Sequence, residues 1–272
     1  MAQHPPLADE LAAVARAAAA AGAQVAMAWR RRASSLRIEQ KTGPRDLVSR
    51  ADRDAEEAIR AVLAELRPTD GVLGEEGGTT AGTSAVQWAV DPIDGTTNYL
   101  YGRSDWAVSV AAVRSADRTV LAGAVAEPML DRMTVAAAGG GTFSGEHRTA
   151  AETRRPVSES LVEVNFGRDD QRGLAGAMVA ALVPRVRDVR RGGSAACALA
   201  QLATGRVDAV WAPGLQPWDC AAGVLLVSEA GGTVGDLSGP TPGTWPAGGD
   251  VLAAGPQLWA SLRQVLQPIY QV

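Results

Sequence analysis

The sequence predicts a mixed fold in which an α+β first half and an α/β second half pack as one body. Three observations carry this. Two helical stretches come early and are followed by strands at hairpin-like spacing between residues 107 and 138. From about residue 151, strand-type and helix-type segments alternate. No stretch rich in Pro, Gly or Ser is long enough to separate free domains. The expected division is therefore 1–150, an N-terminal α+β half, and 151–272, a C-terminal α/β half.

Residues 7–32 read as one long helix that ends in Arg30-Arg31-Arg32, favourable at a helix C-terminus. Leu36-Arg37-Ile38 reads as a short extended piece, and Lys41 to Ser49 as loop punctuated by Gly43-Pro44. Ala55, Ile59, Val62, Leu63 and Leu66 recur at helical spacing within 51–66, a helix stopped by Pro68. Val72-Leu73-Gly74 is a short strand, 77–85 a loop, and 87–91 a strand that hands over to a helix start at Gly95. Strands follow at 107–113, 120–126 and 133–138, with turns at Gly139-Gly140-Gly141 and Ser144-Gly145. The second half reads as strands at 161–165, 186–189, 207–211 and 251–253, and helices at 171–182, 194–203, 218–230 and 256–267.

Composition excludes several classes. A hydrophobic content of 46% suffices for a packed core, and 21% charged residues argues against disorder. A net charge of −4 gives no reason to expect nucleic acid or an anionic membrane as partner. Arg16 and Gln24 interrupt the Ala-rich 11–29, which reads as an amphipathic helix rather than a membrane span. Two cysteines, Cys197 and Cys220, make no disulfide framework, and together with the polar N-terminus they predict a reduced cytoplasm. Only His4 and His147 are available, too few for a His-rich zinc site or an evident Ser-His-Asp triad.

The stretch that organises the chain is Trp88-Ala89-Val90-Asp91-Pro92-Ile93-Asp94-Gly95-Thr96-Thr97-Asn98. A strand ends in two carboxylates and meets a helix start. Carboxylates hold hard cations through oxygen, and the free N–H groups of a helix start hold an anion. Cation and anion sites side by side suggest a metal-dependent phosphate site. Other acids stand at element ends: Asp46, Asp52, Glu75 and Asp219, the last in Pro217-Trp218-Asp219-Cys220-Ala221-Ala222-Gly223. Stabilisation of a helix dipole is the ordinary explanation for Asp52 or Asp219 taken alone. It fits the pair Asp91 and Asp94 poorly.

With these motifs in order, the chain resembles the inositol monophosphatase family of magnesium-dependent, lithium-sensitive phosphatases. The signature at 88–98 and a second at 218–223 followed by Glu229-Ala230-Gly231-Gly232 carry the likeness. Leu73-Gly74-Glu75-Glu76, Lys41 with Asp46-Leu47-Val48 and Asp52, and the run 187–195 support it. The likeness spans roughly residues 10–265 and is strongest to bacterial inositol-1-monophosphatases. It implies a layered αβαβα fold of the sugar-phosphatase type, a homodimer, and two to three Mg²⁺ ions. By resemblance, Glu75, Asp91 and the Ile93 carbonyl hold a first ion, and Asp91, Asp94 and Asp219 a second. Thr96 and Asp52 orient a metal-activated water and accept its proton, and Lys41 tethers the acids. Asp94 and the N–H groups of Gly95 and Thr96 meet the phosphate, and Gly193, Ser194 and Ala195 line the sugar side.

One position departs from the family pattern. Inositol-type members carry a glutamate seven residues before the helix aspartate, where this chain has Ala212. Alanine cannot accept a hydroxyl hydrogen bond, so discrimination among polyols should weaken. The expected reaction is hydrolysis of a small phosphorylated polyol or sugar, with inositol 1-phosphate the first candidate. Histidinol phosphate, or another sugar or nucleotide phosphate, is the alternative that Ala212 motivates. A non-catalytic regulatory member is a third reading, disfavoured by the complete set of acids.

Overall fold

The structure, a computed structural model, describes residues 6–32, 38–43, 46–152, 154–167 and 171–270, with side chains described for 7–32 and from residue 50 onward within these ranges. Helix α1 (Pro6–Arg30) packs on α2 (Arg50–Leu66), and the two cover one face of a large sheet. Among the described residues that sheet has eight strands: β3 (Gly71–Gly74), β4 (Gly78–Thr80), β5 (Val86–Asp94), β6 (Ala107–Arg114), β7 (Val120–Glu127), β8 (Arg132–Ala137), β9 (Gly141–Ser144) and β10 (His147–Thr149), in the order β10-β9-β8-β7-β6-β5-β3-β4. Its other face is covered by α5 (Ala195–Ala203) and α6 (Pro217–Glu229). Beyond them lies a five-stranded sheet of β11 (Leu161–Val164), β12 (Asp188–Arg190), β13 (Ala209–Ala212), β14 (Thr233–Gly235) and β15 (Val251–Ala254), with α4 (Arg172–Leu182) and α7 (Pro256–Tyr270) outermost. The stack is αβαβα.

By length and composition α1 could cross a membrane, but Leu11, Ala15, Ala18, Ala19 and Ala26 are fully buried against α2 and the sheet. A helix this rich in alanine lies close to its neighbours, and burial of this face rather than intrinsic propensity holds it. In the central layer, a Cβ on Gly223 would lie 2.5 Å from Leu199 Cβ, so α5 and α6 cross at a distance only glycine permits. Ser109 Oγ donates to the Trp218 carbonyl at 2.9 Å and ties the start of α6 to β6.

Several elements depart from the sequence reading. The expected loop over Lys41 to Ser49 is largely an antiparallel hairpin of β1 (Ile38–Gly43) and β2 (Asp46–Ser49), with Ile38 opposite Ser49. Each strand is too short to show a period by itself, and cross-strand pairing supplies the order. The exposed edge strand β4 lies in the expected loop 77–85, and the Gly-rich turns around 139–145 flank β9 and β10, where His147 is exposed. Strand β14 follows the turn after α6 and was not signalled by any apolar alternation.

Candidate active site

Residues three apart on a regular strand face opposite ways. Asp91 and Asp94 nevertheless converge, because β5 is irregular between them. Its register against β6 runs Asp91↔Ser109 and then Asp94↔Ala107, three residues against two. This one-residue bulge, at Pro92-Ile93, restores both carboxylates to one side. Asp91 Oδ1 accepts the Ile93 N–H at 3.0 Å, which fixes the bend. Because β3 runs parallel to β5 with Gly74 beside Val90, Glu75 emerges next to Asp91. Asp219 arrives on α6, which begins with Pro217. It is the third residue of that helix, and its Oδ2 accepts the Gln216 N–H at 2.7 Å in a capping box. The ordinary helix-start role and membership of the cluster thus coexist in one side chain.

The outcome is a buried Asp91 with half-buried Asp94 and Asp219, each offering an oxygen within 4.8 Å of the others. Burial pushes Asp91 well above the usual carboxylate range, helped by the charges of Glu75, Asp94 and Asp219. Burial likewise raises Asp219, with Asp94 the next cause. Asp94 is pushed up to about 6 by burial, against the opposing hydrogen bonds from Ser194 and Ala196. Carboxylates so placed need protons or cations, and all-oxygen donors suit a hard divalent ion. The donor set therefore fits Mg²⁺.

Helix α3 (Thr96–Leu100) starts from Gly95, whose φ of 92° and ψ of 39° suit glycine. A Cβ there would also stand 3.0 Å from the Asp105 carbonyl oxygen and 3.2 Å from Ser194 Cβ. Thr96 Oγ lies 3.3 Å from Asp52 Oδ1 and 3.1 Å from the Ile93 carbonyl oxygen. Its single hydroxyl proton serves one of these at a time. Asp52 is fully buried on α2. Lys41 stands on β1; its side chain lies outside the described residues.

A cavity of about 460 Å³ is lined by Glu75, Asp94 and Asp219 together with Asn165, Arg191 and Trp218. Gly193 and Ala195 also face it. Ser194 and Ala212, expected on the substrate side, do not. Ser194 is fully buried, where its Oγ donates to Asp94 Oδ2 at 2.6 Å and accepts the Cys197 N–H at 3.1 Å as the cap of α5. Ala212 is fully buried opposite Val251, in the core shared with α5 and α6, and the cavity begins with Pro213 and Gly214. A strand's last inward side chain belongs to the core; the chain must leave the sheet before it can face solvent. Trp211 is core as well.

Two supports were absent from the sequence reading. Glu56 is buried beneath the turn that carries Glu75: its carboxylate accepts the N–H groups of Glu76 at 2.7 Å and Gly77 at 2.9 Å, and pairs with Arg60 Nε at 2.6 Å. Asp52, Glu56, Ile59 and Leu63 are all buried on one stripe of α2, so the helical phase could have identified Glu56. Asn98 Nδ2 donates to the carbonyls of Asp105 and Gly192, both at 2.6 Å, joining α3 to the loop before α5. No local pattern signals that contact.

Five layers with carboxylates converging beside a cavity between the two sheets are the architecture of a sugar-phosphatase-type enzyme, a phosphoric monoester hydrolase. The family model described as "Inositol monophosphatase family" matches residues 7–270, and the chain belongs to that family. It is 38% identical over 237 residues to the inositol-1-monophosphatase of Rhizobium meliloti, covering 86% of this chain and 87% of that one. It is 34% identical to a protein of Pasteurella multocida named Nus factor SuhB, covering 93% and 94%. Among solved structures, the extragenic suppressor protein suhB of Bartonella henselae superposes with a TM-score of 0.87 at 31% identity, over 97% of this chain and 99% of that one.

Proposed function

We propose that the protein hydrolyses a small phosphorylated polyol or sugar in a Mg²⁺-dependent reaction. The observation that carries the reading is the convergence of Asp91, Asp94 and Asp219 within 4.8 Å, with Glu75 beside them in the cavity wall. Glu75, Asp91, the Ile93 carbonyl, Asp94 and Asp219 would hold two to three Mg²⁺ ions, which supply Lewis acidity and neutralise charge on the phosphoryl group. The chain's own groups do the rest. Thr96 orients the attacking water, and the water's proton passes to the Asp52 carboxylate. N–H groups of Gly95 and Thr96 bind phosphate oxygens. Gly193 and Ala195 border the leaving alcohol. Lys41 is assigned to balancing the acids, and the working form is a cytoplasmic homodimer of bodies in which 1–150 supplies most of the acids and 151–272 supplies Asp219 and the substrate side.

Inositol 1-phosphate is the reference substrate because relatives carry that name. The test is phosphate release from it with and without Mg²⁺, in the wild type and in Asp91→Asn. Mg²⁺-dependent turnover that Asp91→Asn abolishes is expected; equal turnover in both proteins would sink the assignment. The relative named as a Nus factor brings a second reading, a regulatory role in which the site is idle. The complete acid set favours catalysis over that reading.

A further inference from the structure

The cavity's remaining side chains carry information about the leaving group. Asn165 directly follows β11, is only 6% exposed and lines the cavity. Its Nδ2 has no hydrogen-bond partner among the described residues. A buried donor left without an acceptor is costly, and this one stands in a cavity wall where a bound group can supply the acceptor. Arg191 lines the same cavity, with its guanidinium carbon 5.1 Å from the centre of the Phe166 ring. A Cβ on Gly193 would lie 2.6 Å from Arg191 Nη1, which sets the guanidinium against the loop that leads into α5. Among the described residues Arg191 forms no ion pair. Its pKa is lowered by burial first and by the charge of Arg172 next, with Arg103 adding to it and Glu163 opposing. Glu163 itself is committed elsewhere, since its Oε1 accepts the Gly192 N–H at 2.9 Å. Among the described residues the acids that line the cavity are Glu75, Asp94 and Asp219, all assigned to the cluster. Among the described residues the cavity wall thus presents one guanidinium without an ion pair and one buried amide N–H group without a partner.

We infer that the leaving group carries a second anionic group, a carboxylate or a further phosphate, that is bound by Arg191 and Asn165. This rests on the phosphatase reading above and narrows its substrate class. A guanidinium and a carboxamide NH₂ present three or more N–H groups to an anion, and such charge-assisted bonds are about twice as strong as neutral ones.

The test compares matched esters at fixed free Mg²⁺: glycerol 2-phosphate against 2-phosphoglycerate, and inositol 1-phosphate against inositol 1,4-bisphosphate. The first pair isolates a carboxylate and the second a further phosphate. In the wild type kcat/KM should favour the doubly anionic member of at least one pair by about tenfold or more, mostly through KM. In Arg191→Gln that ratio should fall toward one, and Arg191→Lys should keep part of it. Asn165→Asp, which exchanges a donor for an acceptor in the same volume, should lower the ratio as well. Titration calorimetry with the same compounds runs alongside, and thermal melting confirms that each variant is folded. Wild-type ratios near one for both pairs, in kcat/KM and in Kd, overturn the inference, as does a preference that Arg191→Gln leaves intact. Absence of hydrolysis for every ester with the binding preference retained overturns the phosphatase reading and supports the anion site.

Discussion

Ser194 donates its hydroxyl hydrogen to Asp94 Oδ2 at 2.6 Å across one hundred residues of chain. The Ala196 N–H meets the same oxygen at 2.6 Å. The start of α5 thus holds a carboxylate that β5 delivers. Ser194 simultaneously caps α5 through the Cys197 N–H. Replacing Ser194 by Ala should cost about 1 kcal/mol as a lost cap and about 10–100-fold in activity, as for a lost support behind a metal ligand. Ser194→Thr should restore much of the activity. Urea denaturation and kcat measured together check this; a variant that loses stability and keeps full kcat would show the contact to be structural only.

Asp91 is buried among like charges, so its removal should have opposite effects on activity and stability. Asp91→Asn keeps an acceptor for the Ile93 N–H, 3.0 Å from Oδ1 in the wild type, and removes one negative charge from the cluster. Activity should fall by about 10²–10³-fold or more, the range seen when one preorganised electrostatic group is lost. The cation-free protein should melt at a higher temperature than wild type above pH 7. Calorimetry without Mg²⁺ decides; a lower melting temperature in the variant would contradict the repulsion.

The raised carboxyl groups set a pH dependence with a definite sign. In the cation-free protein Asp94 titrates at about 6 against an ordinary value of 3.8, and Asp91 and Asp219 lie well above that value. Between ordinary and raised values the folded chain holds more protons than the unfolded one, so stability falls as pH rises. The loss begins above about pH 4 and continues through pH 6 and beyond. Mg²⁺ requires the deprotonated acids. The melting-temperature gain on adding Mg²⁺ should therefore be small at pH 5.5 and large at pH 8. A gain independent of pH in that window would rule out these carboxylates as the ligands.

Glu56 tests the support beneath Glu75. It is 1% exposed and paired with Arg60. Glu56→Ala leaves the N–H groups of Glu76 and Gly77 without their acceptor, while Arg60 keeps the Gly78 carbonyl at 2.6 Å and Thr80 Oγ1 at 3.1 Å, and should cost about 1–3 kcal/mol, the range for hydrogen-bonding groups left unsatisfied. Glu56→Gln keeps one acceptor oxygen and should cost less. Mg²⁺ affinity should weaken in both, since the turn that presents Glu75 loses its anchor. Chemical denaturation and Mg²⁺ titration measure the two effects; unchanged Mg²⁺ affinity in a folded variant would confine Glu56 to stability.

Asp91, Asp94 and Asp219 were legible in the sequence because each stands where an element ends, and carboxylates at a strand end and a helix start have few other reasons to occur together. Their convergence was not legible. It depends on a bulge between β5 and β6, and strand periodicity alone would have sent Asp91 and Asp94 to opposite faces. Ser194 and Ala212 could be assigned to the substrate side by position in a motif, yet both are buried. One serves as a strut and the other as core, because the direction of a side chain at a strand or helix end depends on how the chain leaves the element. Glu56 was missed for another reason: paired with Arg60 four residues on it looks like a surface ion pair, and only its phase with Ile59 and Leu63 marks it as buried.

The sequence by itself determined the kind of chemistry: which acids are available, the near absence of histidine and lysine, the glycine that turns strand into helix, and the order of motifs that marks the family. Local residue type and spacing suffice for that, because hard-cation and phosphate binding require particular oxygens and N–H groups. Tertiary structure alone decided which acids share charge, which groups hold them, and which side chains line the cavity beside them. Those relations run between residues as far apart as Asp94 and Ser194, or Asn98 and Gly192. They exist only once two sheets have closed on α5 and α6, burying carboxylates together and leaving Asn165 and Arg191 at the rim of the space between.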